Sequence, residues 1–396
     1  MKRTILYPLL TLYLLIFSNG QAIASGNDSI RLSLLTCAPG EEIYSLFGHT
    51  AIRYEDPANG IDAVFNYGLF SFNTPNFILR FSLGETDYQL GATDYARFAA
   101  EYAFDGRSVW QQTLNLSKEE KAELIRLLQE NYLPENRVYR YNFFYDNCAT
   151  RPRDKIEESI DGKVIYPAEP QDGSLSFRDI VHQYCKGHPW ARFGIDLCIG
   201  SEADRPITQR QMMFAPFYLM DAFAGAQIVH DSVQRPLVSG KELIVDALPE
   251  EEEEGGWMPT PFQCSLLLFI LTAAATIYSI RKRTGLWGVD LILFGAAGIV
   301  GCVLAFLALF SEHPAVSSNF LLLVFHPGQL LILPYIIYCV RKGKKCWYLT
   351  LNLVVLTLFM VLFPLIPQRF DLAVVPLALC LLIRSASNLI LTSKKK

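Results

Sequence analysis

The chain has 396 residues, long enough for roughly two or three domains, and its formal net charge is −4. This slightly acidic balance argues against nucleic acid as a partner. The sequence has no glycine-rich phosphate loop and no cysteine pair at zinc spacing, so we expect neither a cofactor nor a metal site. Hydrophobic residues make up 51% of the chain, and they become overwhelming only from about residue 262 onward.

Residues 1–24 have the pattern of a secretory signal peptide. The basic start Met1–Arg3 precedes an apolar run, Ile5–Phe17, and the small residues Ala22 and Ala24 follow at cleavage spacing. An uncleaved membrane anchor is the alternative. In either case, the segment that follows is expected to be exported.

We expect residues 25–249 to form one exported domain. Strand-like runs occur together with a helix that a capping box at Ser117 and Glu120 opens and that ends near Tyr132. This mixture predicts an α+β domain. The strand-like runs are Arg31–Thr36, His49–Tyr54, Ala63–Tyr67 and Val109–Leu116.

The rest of the chain is predicted to be an all-α membrane domain. Residues 250–261 form an acidic linker that begins with Glu250–Glu254. Residues 262–396 contain five apolar stretches of about 20 residues, each long enough to cross a bilayer as a helix. We place these five transmembrane helices near 262–280, 287–310, 319–340, 346–366 and 371–391.

The distribution of positive charge predicts the orientation in the membrane. Basic clusters at 281–283, 341–345 and 394–396 follow the first, third and fifth predicted spans, whereas the other loops carry few charges. The positive-inside rule places the basic loops in the cytoplasm. Residues 25–260 and the loop Ser311–Asn319 then lie together on the outer, periplasmic face.

Cys148 is the candidate nucleophile. It lies in a polar stretch between the aromatic run Tyr139–Phe144, predicted to be a strand, and Asp154–Ile160, predicted to be a short helix. A cysteine at such a junction is close to helix N–H groups and to the positive end of the helix dipole, which favours the thiolate. We expect Asp146 or Asn147 to cap this helix.

His49 is the candidate base. It follows a glycine and opens a strand-like run. A cysteine at a helix N-terminus with a histidine on an adjacent strand is the papain-like arrangement, and here the histidine comes first, as in the circularly permuted branch of that fold. Glu55, Asp56 and Asn66 are all candidates to orient the imidazole, and the sequence does not rank them.

Other interpretations of the cysteines and of one loop remain open. A disulfide between Cys37 and Cys148 is the alternative to a reactive thiol, and Cys185 and Cys198 are close enough in sequence to pair. The loop that contains His313 is predicted to lie on the same side of the membrane as Cys148. His313 either contributes to the site or belongs to an ordinary turn.

Six short blocks carry a family resemblance. They are Leu35–Gly40, Phe47–Arg53, Pro134–Arg137, Phe143–Arg151, Glu312–Pro314 and Asn319–Leu322. In these blocks the chain resembles the Lnb-type bacterial lipoprotein N-acyltransferases. The resemblance implies a permuted papain-like (NlpC-type) domain that carries His49 and Cys148, attached to a helical domain in the cytoplasmic membrane. Four further residues of these blocks are expected to support the site: Arg53, Asp146, Asn147 and Arg151.

The reaction implied by the resemblance is lipoprotein N-acylation. An acyl chain would pass from a membrane phospholipid to Cys148 as a thioester, and then to the N-terminal amine of a diacylglyceryl-cysteine lipoprotein, without a cofactor. The implied partners are a phospholipid donor, a diacylated lipoprotein acceptor and the bilayer itself.

Three alternatives share these residues. A papain-like peptidase or amidase would use the same cysteine and histidine, and a phospholipase at the membrane surface would hydrolyse the thioester. A non-catalytic, membrane-anchored binding module would keep its function after Cys148→Ala, which separates it from the enzymes.

We predict that the C-terminus lies in the cytoplasm, because the basic clusters face inward. A reporter that is active only in the cytoplasm, fused after Lys396, should give a signal. The same reporter inserted in the loop Ser311–Asn319 should be silent. A periplasmic C-terminus would contradict the topology.

Overall fold

The computed structural model describes residues 29–71, 73, 75–167, 175–231, 233–247 and 258–393. The predicted signal peptide and the acidic run Glu250–Glu254 lie outside the described residues.

Antiparallel strands form the centre of the exported domain. The seven-stranded sheet has the order β10-β5-β1-β2-β3-β4-β6, and a smaller sheet has the order β7-β8-β9. All four predicted strand runs are confirmed, with bounds that differ by a few residues. The strands are β1 (Arg31–Cys37), β2 (His49–Asp56), β3 (Ile61–Leu69), β4 (Asp87–Asp94), β5 (Val109–Leu114), β6 (Val138–Arg140), β7 (Lys163–Ile165), β8 (Gln227–His230), β9 (Val233–Pro236) and β10 (Val238–Val245).

Helices cover both faces of the large sheet. They are α1 (Phe77–Leu83), α2 (Tyr95–Phe104), α3 (Lys118–Tyr132), α4 (Thr150–Ser159), α5 (Phe177–Tyr184), α6 (Pro189–Cys198), α7 (Gln209–Met212) and α8 (Pro216–Gly225). Successive residues of a strand point to opposite faces. Leu32 and Leu34 of β1 therefore pack with α3, α4 and α8, whereas Leu35 packs with Phe98 of α2. The domain is α+β, as predicted.

The predicted capping box of α3 is confirmed. The Ser117 hydroxyl oxygen accepts from the Glu120 N–H at 3.1 Å, and the Glu120 carboxylate accepts from the Ser117 N–H at 2.7 Å. These bonds satisfy two groups that a helix start would otherwise leave without partners.

The strand predicted over Tyr139–Phe144 is wrong beyond Arg140. The chain turns at Asn142, whose side-chain oxygen accepts from the Phe144 N–H at 3.2 Å, while the Asp146 N–H donates to the Asn142 carbonyl at 2.9 Å. An asparagine that bonds to the backbone two residues ahead favours a turn over a strand. The helix that follows is α4, which begins at Thr150 rather than at Asp154.

The membrane domain contains the helices α9 (Pro261–Lys282), α10 (Trp287–Phe310), α11 (Pro327–Leu331), α12 (Leu333–Lys342), α13 (Trp347–Leu362) and α14 (Val374–Ser393). Four helices of the described residues are long and apolar enough to cross a membrane: α9, α10, α14, and α13 extended to Leu365. Four of the five predicted spans are therefore continuous helices.

The third predicted span, 319–340, is not one helix. Its chain is extended at His326 (φ −140°, ψ 151°), because the residue before a proline is disfavoured in the helical region and Pro327 lacks an N–H. The break packs directly on α10, where a side chain at Gly301 would lie 2.4 Å from the His326 backbone.

A buried ion pair joins three membrane helices. Arg384 of α14 donates to both carboxylate oxygens of Asp290 on α10, at 2.7 and 3.0 Å, and to the Thr276 hydroxyl of α9 at 3.2 Å. A charge in the bilayer core is costly unless it is paired. This pairing accounts for a charged residue within the fourth continuous span.

Two outer loops of the membrane domain bind the exported domain. The Gly200 N–H donates to the Ala315 carbonyl at 2.7 Å, and the Asn319 amide donates to the Leu197 carbonyl at 2.7 Å. Arg369 forms ion pairs with Asp179 at 2.5 Å and with Asp204 at 3.0 Å. Both loops are ones that the charge distribution places on the outer face.

We predict that Gly200→Ala weakens this docking, because its new methyl group would lie 2.0 Å from the Ser317 carbonyl oxygen. Overpacking of this kind costs about 1–3 kcal/mol. The thermal unfolding midpoint of the full chain in detergent should fall. Gly194→Ala on the adjacent helix α6 is the control, since nothing lies within 4 Å of its added carbon. Equal midpoints for the two variants would contradict the prediction.

Candidate active site

Asn147 fixes the turn that carries Cys148. Its amide nitrogen donates to the Phe143 carbonyl at 2.8 Å and to the Phe214 carbonyl at 2.9 Å. Its side-chain oxygen accepts from the N–H groups of Ala149 at 2.8 Å and Thr150 at 2.9 Å. The N-cap residue of α4 is Ala149, so neither expected residue holds that position, but Asn147 bonds the N–H groups at the helix start and its buried amide is fully hydrogen-bonded.

Asp146, the other candidate cap, instead binds Arg151. The guanidinium donates to both carboxylate oxygens, at 2.6 and 2.8 Å, and lies 3.5 Å from the centre of the Tyr139 ring. Asp146 precedes Cys148 in the chain and Arg151 follows it, so this bidentate pair links the two sides of the turn. Asp146 and Arg151 thus brace the turn, which agrees with a supporting role for each.

His49 is the first residue of β2 and follows a position where only glycine fits. Gly48 has φ +77°, and a side chain there would lie 2.5 Å from the Cys37 carbonyl oxygen. The imidazole Nε2 lies 3.2 Å from the side-chain oxygen of Asn66 on β3. Since this oxygen accepts, Nε2 carries the proton and Nδ1 keeps its lone pair. Of the three candidate orienters, the structure selects Asn66.

The structure brings Cys148 to the start of β2. The β2–β3 pairing ends at Ala51 and Asn66, and the Thr50 N–H faces the Cys148 sulfur together with the N–H of Cys148 itself. Across from them, Gly68 of β3 approaches so closely that an added carbon there would lie 3.5 Å from the Cys148 Cβ. Cys148 therefore lies against Thr50, the residue that follows His49 in β2.

Burial keeps both groups neutral. It raises the pKa of the Cys148 thiol to about 11, although the N–H groups of Thr50 and Cys148 lower it. Burial also lowers the pKa of His49 to about 4, although the hydrogen bond that its Nε2 donates to Asn66 raises the pKa, and the charge of Arg107 lowers it further. At neutral pH the resting pair is a thiol and a neutral imidazole. The expectation of a resting thiolate is not met, because burial raises the pKa of the thiol more than the N–H groups of Thr50 and Cys148 lower it.

Arg107 is a residue that the sequence analysis missed. Its Nε donates to the Ala38 carbonyl at 2.9 Å, and its guanidinium lies 4.7 Å from the centre of the Tyr102 ring. It reaches His49 because β5, which starts at Val109, pairs with the end of β1. No local pattern marks a long-range neighbour of this kind.

Three tyrosines beside Cys148 were also missed. A carbon added at Gly68 would lie 3.5 Å from the Cys148 Cβ and 3.9 Å from the Tyr139 hydroxyl oxygen, and Tyr88 is directly across from Tyr139 in the β4–β6 pairing. Tyr88 and Tyr141 stack with ring centres 4.1 Å apart. Tyr139 and Tyr141 are two residues apart, which suggests that their side chains point the same way, but the sequence does not show that this side faces Cys148.

Arg53 lies outside this cluster of contacts. It forms a bidentate pair with Asp62 at 2.8 and 2.7 Å, donates to Gln111 at 2.8 Å, and lies 3.3 Å from the centre of the Tyr95 ring. These contacts join β2 to α2 and β5. The structure therefore gives Arg53 a role in the scaffold.

The other two residues considered for orienting the His49 imidazole, Glu55 and Asp56, bind other partners. Glu55 pairs with Arg31 at 2.7 Å, and Asp56 accepts from the Asn59 side chain at 2.7 Å.

His313 contacts α1 rather than the Cys148 turn. Its Nε2 lies 3.2 Å from the Phe81 carbonyl oxygen, and burial lowers its pKa. The histidine belongs to the docking between the outer loop and the exported domain.

All nine cysteines are free. Neither the Cys37–Cys148 bridge nor the Cys185–Cys198 bridge is formed. Cys37 is buried directly across from His49 in the β1–β2 register, and burial raises its pKa to about 12. Cys148 is the partly exposed thiol of the two, as a nucleophile requires.

Together, the fold and the site define a membrane protein whose exported α+β domain brings a cysteine to the start of a histidine-bearing strand. Comparison with protein families identifies it further. The Lnb N-terminal periplasmic domain matches residues 24–172, and the Lnb transmembrane domain matches residues 251–396. The chain therefore belongs to the Lnb family and has a periplasmic domain followed by a membrane domain. No curated protein and no solved structure matches the chain.

We predict that the alkylation rate of Cys148 by neutral iodoacetamide rises steadily with pH. Because the pKa of the thiol is about 11, the reactive thiolate is scarce at neutral pH and grows about tenfold per pH unit. Peptide mass spectrometry of the folded protein between about pH 6 and about pH 9 measures this rate. A plateau within that range would reveal a preformed thiolate and contradict the neutral pair.

Proposed function

We propose that this protein is a lipoprotein N-acyltransferase of the cytoplasmic membrane, with its catalytic domain in the periplasm. The observation that carries the proposal is the meeting of Cys148 with the first residues of β2, beside His49, in a domain docked onto the outer loops of membrane helices. A thiol held there faces ester and amine substrates that are themselves anchored in the outer half of the bilayer. The membership in the Lnb family supports the same activity.

In the first half-reaction, the Cys148 sulfur attacks the carbonyl carbon of a phospholipid ester. His49 Nδ1 takes the thiol proton as the carbon–sulfur bond forms. The tetrahedral intermediate then expels the lysophospholipid oxygen, which receives the proton from the imidazolium. The products are a Cys148 thioester and a lysophospholipid.

The oxyanion of the tetrahedral intermediate needs hydrogen-bond donors. The N–H groups of Ala149 and Thr150 are bound to Asn147. The N–H groups of Thr50 and Cys148 face the sulfur and are the nearest backbone donors. We assign the stabilisation of the developing negative oxygen to these two groups.

In the second half-reaction, the N-terminal amine of a diacylglyceryl-cysteine lipoprotein attacks the thioester carbonyl. His49 removes a proton from the attacking nitrogen, and the carbon–sulfur bond breaks as the amide forms. The imidazolium returns its proton to the sulfur, so both catalytic groups end as they began. An amide replaces an ester in the overall reaction, and no oxidant or cofactor is consumed.

The neutral resting pair suits this role. With a pKa of about 4, His49 is unprotonated at neutral pH and is ready to act as a base. Asn66 holds its ring, so that Nδ1 rather than Nε2 accepts the proton. The proton moves only while the sulfur attacks.

We predict that Cys148 carries an acyl group when phospholipid is supplied without a lipoprotein acceptor. Intact-mass measurement of the purified full chain should show a hydroxylamine-labile adduct. Cys148→Ser and His49→Ala should each lose several orders of magnitude in acylation rate, because the two residues act as a unit. Adding a diacylated lipopeptide should remove the adduct and produce the N-acyl product.

Cys198→Ser is the matched control, since Cys198 ends α6 and takes no part in the proposed chemistry. It should acylate like the unmodified protein. Release of free fatty acid with no transfer to the lipopeptide would instead identify a phospholipase. Normal N-acylation by Cys148→Ala would end the proposal.

A further inference from the structure

The helix α1 presents apolar side chains that the exported domain does not cover. None of its residues is buried, and Ile78, Leu79 and Phe81 are 79%, 51% and 45% exposed. Neighbouring exposed apolar side chains on a folded domain mark an interaction surface. Both ends of α1 are turned sharply, because Asn76 and Gly84 have φ angles of 55° and 77°.

Contacts with the outer loop place α1 at the edge of the membrane. The Glu312 N–H donates to the Leu83 carbonyl at 2.8 Å, and an added carbon at Gly84 would lie 3.2 Å from the Glu312 side chain. Glu312 is two residues beyond the end of the membrane-crossing helix α10, at Phe310. Helix α1 therefore lies at the level where α10 leaves the bilayer, and its apolar side chains are continuous with lipid-facing ones such as Leu309, 75% exposed.

A row of aromatic rings leads from α1 to the candidate active site. Ring centres are 6.1 Å apart between Phe81 and Phe77, 5.5 Å between Phe77 and Phe70, and 5.0 Å between Phe70 and Tyr88. Tyr88 then stacks on Tyr141 at 4.1 Å. Tyr88 is directly across from Tyr139 in the β4–β6 pairing. A carbon added at Gly68 would lie 3.9 Å from the Tyr139 hydroxyl oxygen and 3.5 Å from the Cys148 Cβ, so the row ends beside Cys148.

The only cation of α1 is already paired. Arg80 binds the Asp87 carboxylate at 2.7 Å and the Glu85 carbonyl at 2.9 Å. The row therefore offers hydrocarbon and aromatic surface rather than a site for a charged headgroup. Such a surface suits an acyl chain.

We propose that α1 and the row Phe81–Phe77–Phe70–Tyr88 form the path along which an acyl chain of an outer-leaflet phospholipid reaches Cys148. The proposal rests on the proposed function, because it names the route of its acyl donor. The apolar side chains of Ile78 and Leu79 hold α1 in the bilayer surface. The ester carbonyl at the head of the chain then comes to the sulfur while the headgroup stays at the interface.

A photo-crosslinking experiment tests the path without relying on turnover. The full chain with Cys148→Ala is placed in nanodiscs that contain a phospholipid with a diazirine in one acyl chain. After irradiation, peptide mass spectrometry should find lipid adducts on Phe77–Phe81 as well as on the membrane helices. Adducts confined to the membrane helices would overturn the proposal.

A negative charge placed on the apolar surface of α1 tests whether this surface is needed for acylation. Leu79→Asp should slow the acylation of Cys148 by nanodisc phospholipid roughly tenfold or more, the factor that corresponds to losing the burial of one leucine side chain. Acylation by dihexanoyl phosphatidylcholine, a dispersed short-chain donor, should change less than about twofold, because that donor does not need the bilayer route. Ile165→Asp is the matched control, since Ile165 is 50% exposed on β7.

The outcomes separate this proposal from the function on which it rests. An unmodified protein that is acylated by neither donor would refute the proposed function. Acylation of Leu79→Asp by nanodisc phospholipid at the unmodified rate, or an equal loss with both donors, would refute the path alone.

Discussion

The hydrogen bonds of Asn147 are the constraint on which the site depends. One buried amide joins the turn before α4, the Phe214 carbonyl and the first N–H groups of the helix, so the position of Cys148 is set from three directions. An unsatisfied buried polar group would cost about 1–3 kcal/mol, which makes a partly formed network unfavourable. The same network withdraws the helix N–H groups from the sulfur. Rigid positioning of Cys148 therefore comes at the expense of helix-dipole activation.

The docking of the outer loops sets where this rigid site stands relative to lipid. Much of the docking uses backbone groups, such as the Gly200 N–H and the Ala315 carbonyl, and backbone atoms approach closely only where side chains are absent. Arg369 adds ion pairs to Asp179 and Asp204 on the exported side. These contacts hold the thiol domain against the outer loops of the membrane domain.

Burial acts on the two catalytic candidates with opposite signs. It raises the pKa of Cys148 and lowers that of His49, because the charged form is the thiolate in one case and the imidazolium in the other. A neutral thiol is less susceptible to oxidation than a thiolate, which suits an oxidising compartment. The unprotonated His49 remains available as a base at neutral pH. Both groups are thus neutral at neutral pH.

The sequence by itself determined the division into exported and membrane parts, the main strands and the cap at Ser117, because alternation, helical caps and apolar length are local properties. It also singled out Cys148 and His49. Only the tertiary structure decided that Asn66 rather than Glu55 orients the histidine and that Arg53 belongs to the scaffold, because strand register brings distant residues together. The protonation state of the thiol was likewise beyond the sequence, since burial depends on everything that packs around the sulfur.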